Sequence, residues 1–289
     1  MLTFYTTRRH AYTLKIFLRD WAGPRLRARV RVTPYESLRR PPKSPGDTAV
    51  FTDLERLTDS QLDAATIIAA AAAPRIVNDP RRTLRRFALL EAMSRSGRNR
   101  FRAFRAGEPI DEMLRFPVFL KREDEHDGPL FDLLHDADQL AWALTQADRQ
   151  GEPIDRLLVI EFCETAGSDG FYRKYSSFRF GQKIIPAHVV FDSHWNAKTG
   201  FVPGDDLFAE QTRFLETNPH ADETMAIFEE AAIDYGRIDY SFLDGTIQVW
   251  EINTNPVLIM PRKQYPQAYV PLREALALEI EEALLQLAG

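Results

Sequence analysis

The segment from Gly236 to Asn253 alternates polar and apolar residues along two arms that flank an Asp-Gly pair. This alternation is typical of a β-hairpin with one buried face, and the hydrophobic pattern determines which side chains share a face. Matching the apolar residues of the two arms places Tyr240 opposite Trp250. That register requires a three-residue loop, Asp244-Gly245-Thr246, and we therefore predict a hairpin with this loop.

The predicted register also places Asp239 opposite Glu251 and Arg237 opposite Asn253. A two-residue Asp-Gly turn would instead separate the two carboxylates onto opposite faces. Opposed carboxylates repel each other unless a cation or a proton lies between them. Asp, Glu and Asn offer hard oxygen ligands, which suit Mg²⁺ or Mn²⁺ rather than zinc. The hairpin thus predicts a metal site, with Arg237 neutralising phosphate oxygens, and the alternative is a solvated face with incidental charges.

The order of elements predicts an α/β protein of two domains. Residues 2–32 have the pattern strand, helix, strand, which implies a parallel sheet. We expect this N-terminal α/β domain to occupy residues 1–77 and to end at the turn Asn78-Asp79-Pro80. Residues 78–289 then form a second domain with helices and with mixed or antiparallel sheets.

Composition narrows the class of protein. Of the 289 residues, 44% are hydrophobic and 27% are charged, which is typical of a globular chain rather than a disordered or fibrous one. The single cysteine, Cys163, excludes an internal disulfide and a cysteine-based zinc site. The longest apolar run, residues 64–73, is about half of what a membrane span needs. We therefore expect a cytoplasmic protein with no membrane partner and no export signal.

Positive charge is concentrated between Arg75 and Arg105, where ten arginines accompany two acids, although the net charge of the chain is −5. A solvated helix face, a phosphate-bearing ligand and nucleic acid are the three interpretations. Few aromatic residues are interleaved and the chain as a whole is acidic, so the pattern argues against nucleic acid.

Several common catalytic motifs are missing from the sequence. The P-loop, the GxGxxG dinucleotide motif and the GxSxG nucleophile elbow do not occur. The six histidines include no HExxH pair. The corresponding enzyme classes therefore lose support.

The segments Gly236–Asp239 and Trp250–Pro256 resemble the C-terminal metal and phosphate motif of the ATP-grasp superfamily. That superfamily includes D-alanine–D-alanine ligase, glutathione synthetase and ribosomal-protein glutamate ligases. Other segments follow in the order that the superfamily expects, so the resemblance covers roughly residues 78–256. It implies three parts of the chain, namely a pre-ATP-grasp domain at 1–77, an ATP-binding subdomain at about 78–165 and a metal and substrate subdomain at about 166–289.

The same resemblance implies residues that bind the phosphates of ATP. Lys121, at the end of the predicted strand 116–121, would contact the α- and β-phosphates. The loop at residues 122–129 would cover them, although it is acidic where the family usually has small residues. The cation that the family places in the helix after an Asn-x-Pro turn corresponds to Arg86, with Arg85 as the alternative.

A predicted hinge follows the apolar strand at residues 157–160. Glu161, Phe162, Cys163 and Glu164 resemble the segment whose backbone pairs with adenine. Glu164, or alternatively Glu161, would then hold the ribose hydroxyls. Cys163 is expected to line the hinge, because the sequence assigns it no histidine base.

Cations in and after the predicted hairpin at residues 172–191 are candidates for contact with the γ-phosphate and the acyl substrate. They are Arg173, Lys174, Arg179, His188 and Lys198. We expect Arg173 and Lys174, together with Arg237, to be catalytic.

The function that the resemblance implies is an ATP- and Mg²⁺- (or Mn²⁺-) dependent ligase that joins a carboxylate to an amine or a thiol through an acyl phosphate. Its partners would be a small-molecule or peptide carboxylate and an amine acceptor. Two alternatives stay open: a phosphotransferase on the same scaffold and a nucleotide-binding regulatory protein with a degenerate pocket. The amphipathic helix at residues 272–287 suits a homodimer interface as well as a core.

Overall fold

The computed structural model describes residues 1–37, 48–72, 75–110, 113–198 and 205–289, so the end of the apolar run at 64–73 lies outside the described residues. The first sheet has the strand order β2-β1-β3-β4, and all its pairs are parallel. Its strands are β1 (Leu2–Thr6), β2 (Val30–Pro34), β3 (Thr48–Phe51) and β4 (Arg75–Val77). The accompanying helices are α1 (Tyr12–Asp20), α2 (Pro24–Arg27) and α3 (Asp59–Ala72). This confirms the parallel sheet predicted from the strand-helix-strand pattern.

The second sheet is antiparallel, with the order β5-β7-β6. Its strands are β5 (Ala103–Arg105), β6 (Val118–Arg122) and β7 (Leu157–Glu161), and its helices are α4 (Arg86–Arg95) and α5 (Ala137–Arg149). Every residue of β7 is buried, as expected of a central strand with no polar alternation. Asp136 starts α5 by accepting a hydrogen bond from the backbone N–H of Gln139, which satisfies one of the free donors of the first turn.

The third sheet joins two hairpins in the order β11-β10-β8-β9. Its strands are β8 (Tyr172–Phe180), β9 (Lys183–Asp192), β10 (Tyr235–Leu243) and β11 (Thr246–Asn253). The helices of this part are α6 (Asp205–Thr217), α7 (Ala221–Glu230) and α8 (Val270–Leu287). The mixture of parallel and antiparallel sheets with helices confirms the predicted α/β fold class.

The C-terminal helix α8 packs into a core that the first and third sheets share. Ile280 and Leu284 are fully buried, in one cluster with Leu2 of β1 and Phe178 of β8. The apolar face of α8 thus forms core in this chain, whereas Leu272 lies exposed at its start. The domain boundary after residue 77 stays a prediction. No helix in the described ranges is both long enough and apolar enough to span a bilayer.

Candidate active site

The hairpin of β10 and β11 brings the two predicted carboxylates together. Asp239 pairs with Glu251, and Arg237 pairs with Asn253, as the sequence predicts. The turn is not the expected three-residue loop, because Leu243 pairs with Thr246 and leaves only Asp244-Gly245 between the strands. These two residues have positive φ angles of 51° and 74°, the conformation of a tight two-residue hairpin turn.

A β-bulge at Trp250 restores the register that the short turn would otherwise lose. The ladder pairs Tyr240 with Val249 and shifts by one residue between Asp239 and Tyr240, so the predicted pairing of Tyr240 with Trp250 is wrong. Val249 is fully buried beneath the hairpin, whereas Trp250 and Glu251 both line one cavity. The bulge therefore lets two neighbouring residues of one strand face the same side, which strict alternation does not allow.

Asp239 is a buried carboxylate held by two donors. The Ser176 hydroxyl donates to its Oδ1 at 2.9 Å, and Arg237 donates through Nε and Nη2 at 2.9 and 3.1 Å. Burial opposes ionisation of Asp239, but the positive charges of Arg237 and Lys174 outweigh it, so the pKa of Asp239 lies below its ordinary value. Asp239 is therefore available as a charged oxygen ligand.

Glu251 is surrounded by nitrogen groups. Arg86 donates to its Oε2 at 2.7 Å and Lys121 at 2.9 Å, while Nδ1 of His126 lies 3.3 Å from Oε1. Burial disfavours the charged form, but these neighbours hold the pKa of Glu251 well below its ordinary value. Burial also lowers the pKa of Lys121, and Glu251 offsets only part of that effect.

Arg86 ties the loop at residues 122–129 to Glu251. Its Nη1 donates to the backbone carbonyls of Arg122 and Glu123 at 2.9 and 2.7 Å, while Nη2 donates to Glu251. The side chain is buried and does not belong to the cavity wall. Arg86, rather than Arg85 just before helix α4, therefore reaches the site, but it does so from behind Glu251.

Two of the four acids in the loop at residues 122–129 form ion pairs with arginines outside the loop. Glu123 pairs with Arg105 at 2.7 Å and Glu125 pairs with Arg56 at 3.4 Å. The loop also contributes His126, which contacts Glu55 at 2.7 Å. Asp127, Gly128 and Pro129 contribute to the cavity wall. Part of the negative charge that departs from the family pattern is thus compensated by Arg56 and Arg105.

The cavity beside this loop has a volume of about 490 Å³, within the range of roughly 300–1,000 Å³ typical of small-molecule sites. Part of its wall is aromatic and is formed by Phe119, Phe162, Trp195 and Trp250. Another part carries charge and includes Lys121, Lys174, Lys198, Arg237, Asp239 and Glu251. An aromatic wall beside clustered cations suits a planar heterocycle that carries phosphates.

Glu161 does not serve the role that the sequence suggested as one alternative. Its carboxylate accepts hydrogen bonds from Arg102 and Arg115 at 2.7 and 2.6 Å, and it lies outside the cavity wall. Burial opposes ionisation, but the two arginines lower the pKa of Glu161 to about 2. Glu161 lies at the end of β7, where it joins the segments containing Arg102 and Arg115, so its assignment as a ribose ligand is corrected to a structural one.

The other hinge residues lie nearer the cavity. Phe162 and Cys163 line it, and burial raises the pKa of the Cys163 thiol to about 11, which leaves it protonated near neutral pH. Glu164 is exposed and accepts a hydrogen bond at 3.0 Å from the hydroxyl of Tyr172, which does line the cavity. The ribose role of Glu164 stays a prediction.

The two predicted catalytic cations of β8 differ in their partners. Arg173 lies at the cavity wall but is paired with Asp169 and Glu210, at 2.6 and 3.0 Å. The side chain of Lys174, within a strand that pairs with β9, forms no hydrogen bond or ion pair with any residue in the described ranges. Lys174 also lines a second cavity of about 380 Å³, which adjoins the first and shares Lys198, Arg237 and Asp239 with it.

The weaker candidates of this hairpin divide in the same way. Arg179 lines neither cavity, because it pairs with Asp234 at 3.0 Å and donates to two backbone carbonyls, so we correct it to a structural residue. His188 lines the second cavity, and its Nε2 lies 3.2 Å from the Ser176 hydroxyl. Burial, reinforced by nearby cations, lowers the pKa of His188 to about 3, so the ring is neutral.

Asn253, the third predicted metal ligand, is buried beside Arg237 and lies outside the cavity walls. Its Oδ1 accepts a hydrogen bond from the backbone N–H of Asn255 at 2.8 Å, which leaves one lone pair of the amide oxygen. Within the described ranges, no three His, Cys, Asp or Glu side chains form a metal-binding group. The predicted set is of a different kind, since its third member is an amide.

The arginine-rich segment serves mainly as a source of ion pairs. Six of its ten arginines pair with acids of the described ranges, namely Arg81 with Asp79, Arg86 with Glu251, Arg95 with Glu91, Arg98 with Glu230, Arg102 with Glu161 and Arg105 with Glu123. Two of these pairs hold predicted site residues. The solvated-face interpretation therefore describes only part of the segment.

Two side chains of the site were not identified as such from the sequence. His126 bridges Glu55 and Glu251, and nothing in its local pattern distinguishes it from a surface histidine. Trp195 lies 5.1 Å from Phe119 and 5.9 Å from Phe162, measured between ring centroids. The sequence signal for Trp195 was the occurrence of a tryptophan in an otherwise polar loop.

No family model and no curated protein matches this sequence. Solved structures do match it over nearly their whole length. D-alanine–D-alanine ligase from Bacillus anthracis, complexed with ATP, is 13% identical, with a TM-score of 0.57 and coverage of 100% of this chain and 96% of the ligase chain. A RimK domain ATP-grasp protein from Sphaerobacter thermophilus is 14% identical, with a TM-score of 0.53 and coverage of 99% and 100%.

A third similar structure is the ATP-grasp ligase PsnB in complex with a precursor variant, Mg and ADP. It is 11% identical, with a TM-score of 0.52 and coverage of 99% of this chain and 97% of PsnB. At such low identities, the similarity concerns the fold.

Proposed function

Since this chain has the fold of the ATP-grasp superfamily, we propose that it is an ATP- and Mg²⁺-dependent ligase that joins a carboxylate to an amine or a thiol. The observation that carries the proposal is the pair of buried, opposed carboxylates Asp239 and Glu251 at the wall of a cavity lined by cations and aromatic rings. This arrangement supplies what a metal-bound nucleotide needs.

The cavity suits ATP in both shape and charge. The rings of Trp250 and Phe162 offer faces for adenine, and the adjacent hinge backbone offers hydrogen-bonding groups. In the part of the chain that the structure describes, five Lys or Arg side chains line the cavity against three carboxylates, an excess of positive charge that favours a triphosphate. In this pose Lys121 and Arg237 neutralise phosphate oxygens.

The donor set fits Mg²⁺. Asp239 and Glu251 are both ionised and share one face, and Asn253 lies two residue pairs further along the same hairpin. Mg²⁺ prefers oxygen ligands and usually shares its shell with phosphates, whose charge it would neutralise. Lys121 and Arg86 now compensate Glu251, and we expect Lys121 to turn from Glu251 to the phosphates of bound ATP.

The proposed reaction needs no nucleophile from the protein. A substrate carboxylate attacks the γ-phosphate and gives an acyl phosphate and ADP; an amine then attacks the acyl carbon, loses a proton and releases phosphate. The chain positions the reactants and stabilises negative charge, chiefly through Lys174 and Arg237 at the junction of the two cavities. The protonated thiol of Cys163 agrees with this scheme.

Product analysis tests the reaction class. The protein is incubated with ATP, MgCl₂ and pooled carboxylic acids and amines, and ADP is measured together with new products by mass spectrometry. We expect ADP and an amide in equal amounts. A stable phosphorylated acid without amide would favour the phosphotransferase, and absence of calorimetric heat with ATP and MgCl₂ would favour the degenerate regulatory pocket.

Two conservative substitutions test the site itself. We expect Glu251→Gln and Asp239→Asn each to lower ATP turnover on the order of a hundredfold or more, because each removes a charged ligand of the proposed metal. Glu161→Gln is the matched control, since it also removes a buried, arginine-paired carboxylate but lies outside the cavity. Turnover of Glu251→Gln within threefold of the Glu161→Gln value would contradict the proposal, provided both proteins are folded by circular dichroism.

A further inference from the structure

The second cavity contains a cation that the proposed nucleotide site does not use. Arg273 of α8 lines this cavity and not the first. Its Nε is buried and has no hydrogen-bond partner among the described residues. The guanidinium also forms no ion pair with any of them. A buried donor without an acceptor costs about 1–3 kcal/mol, so a ligand that supplies an acceptor there would be favoured.

The guanidinium of Arg273 packs against an aromatic ring instead of pairing with a carboxylate among the described residues. Its Cζ lies 5.2 Å from the centre of the Tyr265 ring, and Tyr265 in turn packs edge-on against Trp21 at 6.1 Å. Tyr265 lines the same cavity. A guanidinium held by its face keeps its N–H groups free at the edge, and this planar fork matches the two oxygens of a carboxylate.

The charge of the second cavity favours an anion. Among the described residues, four Lys or Arg side chains line it against one carboxylate, Asp239, which Arg237 and Ser176 already hold. His188 adds no charge because it is neutral. The remaining wall is mainly apolar and includes Phe178, Val190 and Leu258, so a ligand with hydrocarbon between its charged groups fits this cavity better than a uniformly polar one.

We propose that the second cavity binds the acyl substrate as a short dicarboxylic acid, with one carboxylate near Lys174 and Arg237 and the other bound by Arg273. The first carboxylate lies at the junction with the nucleotide cavity and is the one that would be phosphorylated. Arg273 binds the carboxylate that does not react, and it thereby determines specificity. The reactive role of the first carboxylate rests on the proposed function, whereas the binding role of Arg273 does not.

Calorimetry on the nucleotide-free full chain tests this assignment with two matched pairs, glutarate against pentanoate and adipate against hexanoate. The members of each pair have the same chain length and differ by one carboxylate. We expect the wild-type protein to bind at least one diacid roughly tenfold or more tightly than its monoacid, as one charged hydrogen-bonded contact predicts. Arg273→Met should abolish that preference and leave the affinity for the monoacid within about twofold.

Arg262→Met is the matched control. Arg262 also stacks on an aromatic ring, with its Cζ 5.3 Å from the Trp21 centroid, but it pairs with Glu274 and lies outside the cavity. We expect this variant to keep the preference for the diacid. Arg273→Lys, which keeps the charge and the aliphatic stem but lacks the fork, should lose most of the preference even if Arg273→Met folds poorly.

Three results would overturn the assignment: equal binding of diacid and monoacid by the wild-type protein, no binding of either diacid, or an unchanged preference in both Arg273 variants. Calorimetry with ATP and MgCl₂, carried out separately, isolates the proposed function. Failure of ATP to bind would refute that function, while a diacid preference that depends on Arg273 would still establish this subsite.

Discussion

Glu161 and Glu251 are both buried glutamates paired with cations, yet the structure gives them different surroundings. Glu251 lies at the wall of the first cavity, whereas Glu161 lies outside that cavity between Arg102 and Arg115. We expect Glu161→Gln to leave the affinity for ATP and Mg²⁺ within about twofold, and Glu164→Gln to weaken it by roughly tenfold through loss of one charged hydrogen bond. Calorimetry distinguishes the two, and the reverse order would restore Glu161 as the ribose ligand.

Glu161 should instead matter for stability, and in a pH-dependent way. The folded protein holds its pKa near 2 against an ordinary value of 4.5, so the carboxylate contributes stability above about pH 4.5 and loses that contribution as the pH falls toward 2. Because both arginines are partly exposed, screening limits the effect, and we expect Glu161→Gln to cost about 1–3 kcal/mol at pH 7. Denaturant unfolding of both proteins between pH 3 and pH 7 measures the difference, which should shrink at the acid end; a constant difference would contradict the assignment.

At the scale of single residues, the sequence predicts neighbours within one hairpin better than partners across the chain. The pairs of Asp239 with Glu251 and of Arg237 with Asn253 follow from alternation and are confirmed. The partners of Glu161 are Arg102, just before β5, and Arg115, in the segment between β5 and β6. No local sequence pattern predicts these two ion pairs. Tertiary pairing of this kind depends on the whole fold.

The hairpin of β10 and β11 places Asp239 opposite Glu251 as predicted, but through a different turn from the one expected. A two-residue turn places Ile247 and Val249 in the apolar cluster that contains Tyr240, whereas the longer loop would place the less apolar Gln248 and Trp250 opposite that face. The bulge at Trp250 then shifts the strand register by one residue, which brings Glu251 opposite Asp239. One sequence by itself does not predict a bulge, because the extra residue interrupts the alternation of polar and apolar residues only once. The sequence therefore predicts the opposition of the carboxylates but not the turn that produces it.

The bulge also gives Trp250 its place in the cavity, and this can be tested. Trp250 stacks on Phe101 with centroids 4.9 Å apart, and its Nε1 donates to Ser241 at 2.8 Å, so its ring is fixed. Stacking of a base on an aromatic ring contributes about 1–3 kcal/mol, so Trp250→Ala should weaken ATP binding roughly tenfold to a hundredfold. Trp250→Phe, which keeps a ring, should remain within about fivefold of wild type. Calorimetry with ATP and MgCl₂ measures both, and wild-type affinity in Trp250→Ala would place adenine elsewhere.

At the scale of the whole molecule, the long periodic segments were predictable and the short or weakly patterned ones were not. The parallel sheet and both hairpins follow from strand patterns and turn residues. Strand β5 has three residues, which are too few to show a periodic pattern. Helix α4 starts at Arg86 rather than directly after the Asn78-Asp79-Pro80 turn, because Arg85 is extended and the backbone N–H of Leu84 donates to the carbonyl of Ala231.

The shared core makes a prediction about how the whole chain unfolds. Leu284 of α8 is fully buried with residues of β1 and β8, so Leu284→Ala should cost about 2–5 kcal/mol. Leu278 lies on the same helix but is 69% exposed, and Leu278→Ala should change stability by less than about 0.5 kcal/mol. Because one helix packs against both the N-terminal sheet and the third sheet, residues 1–77 should not unfold separately. Denaturant curves followed by far-ultraviolet circular dichroism and by tryptophan fluorescence should therefore coincide in both variants, and two separated transitions would mean that the N-terminal domain has a stability of its own.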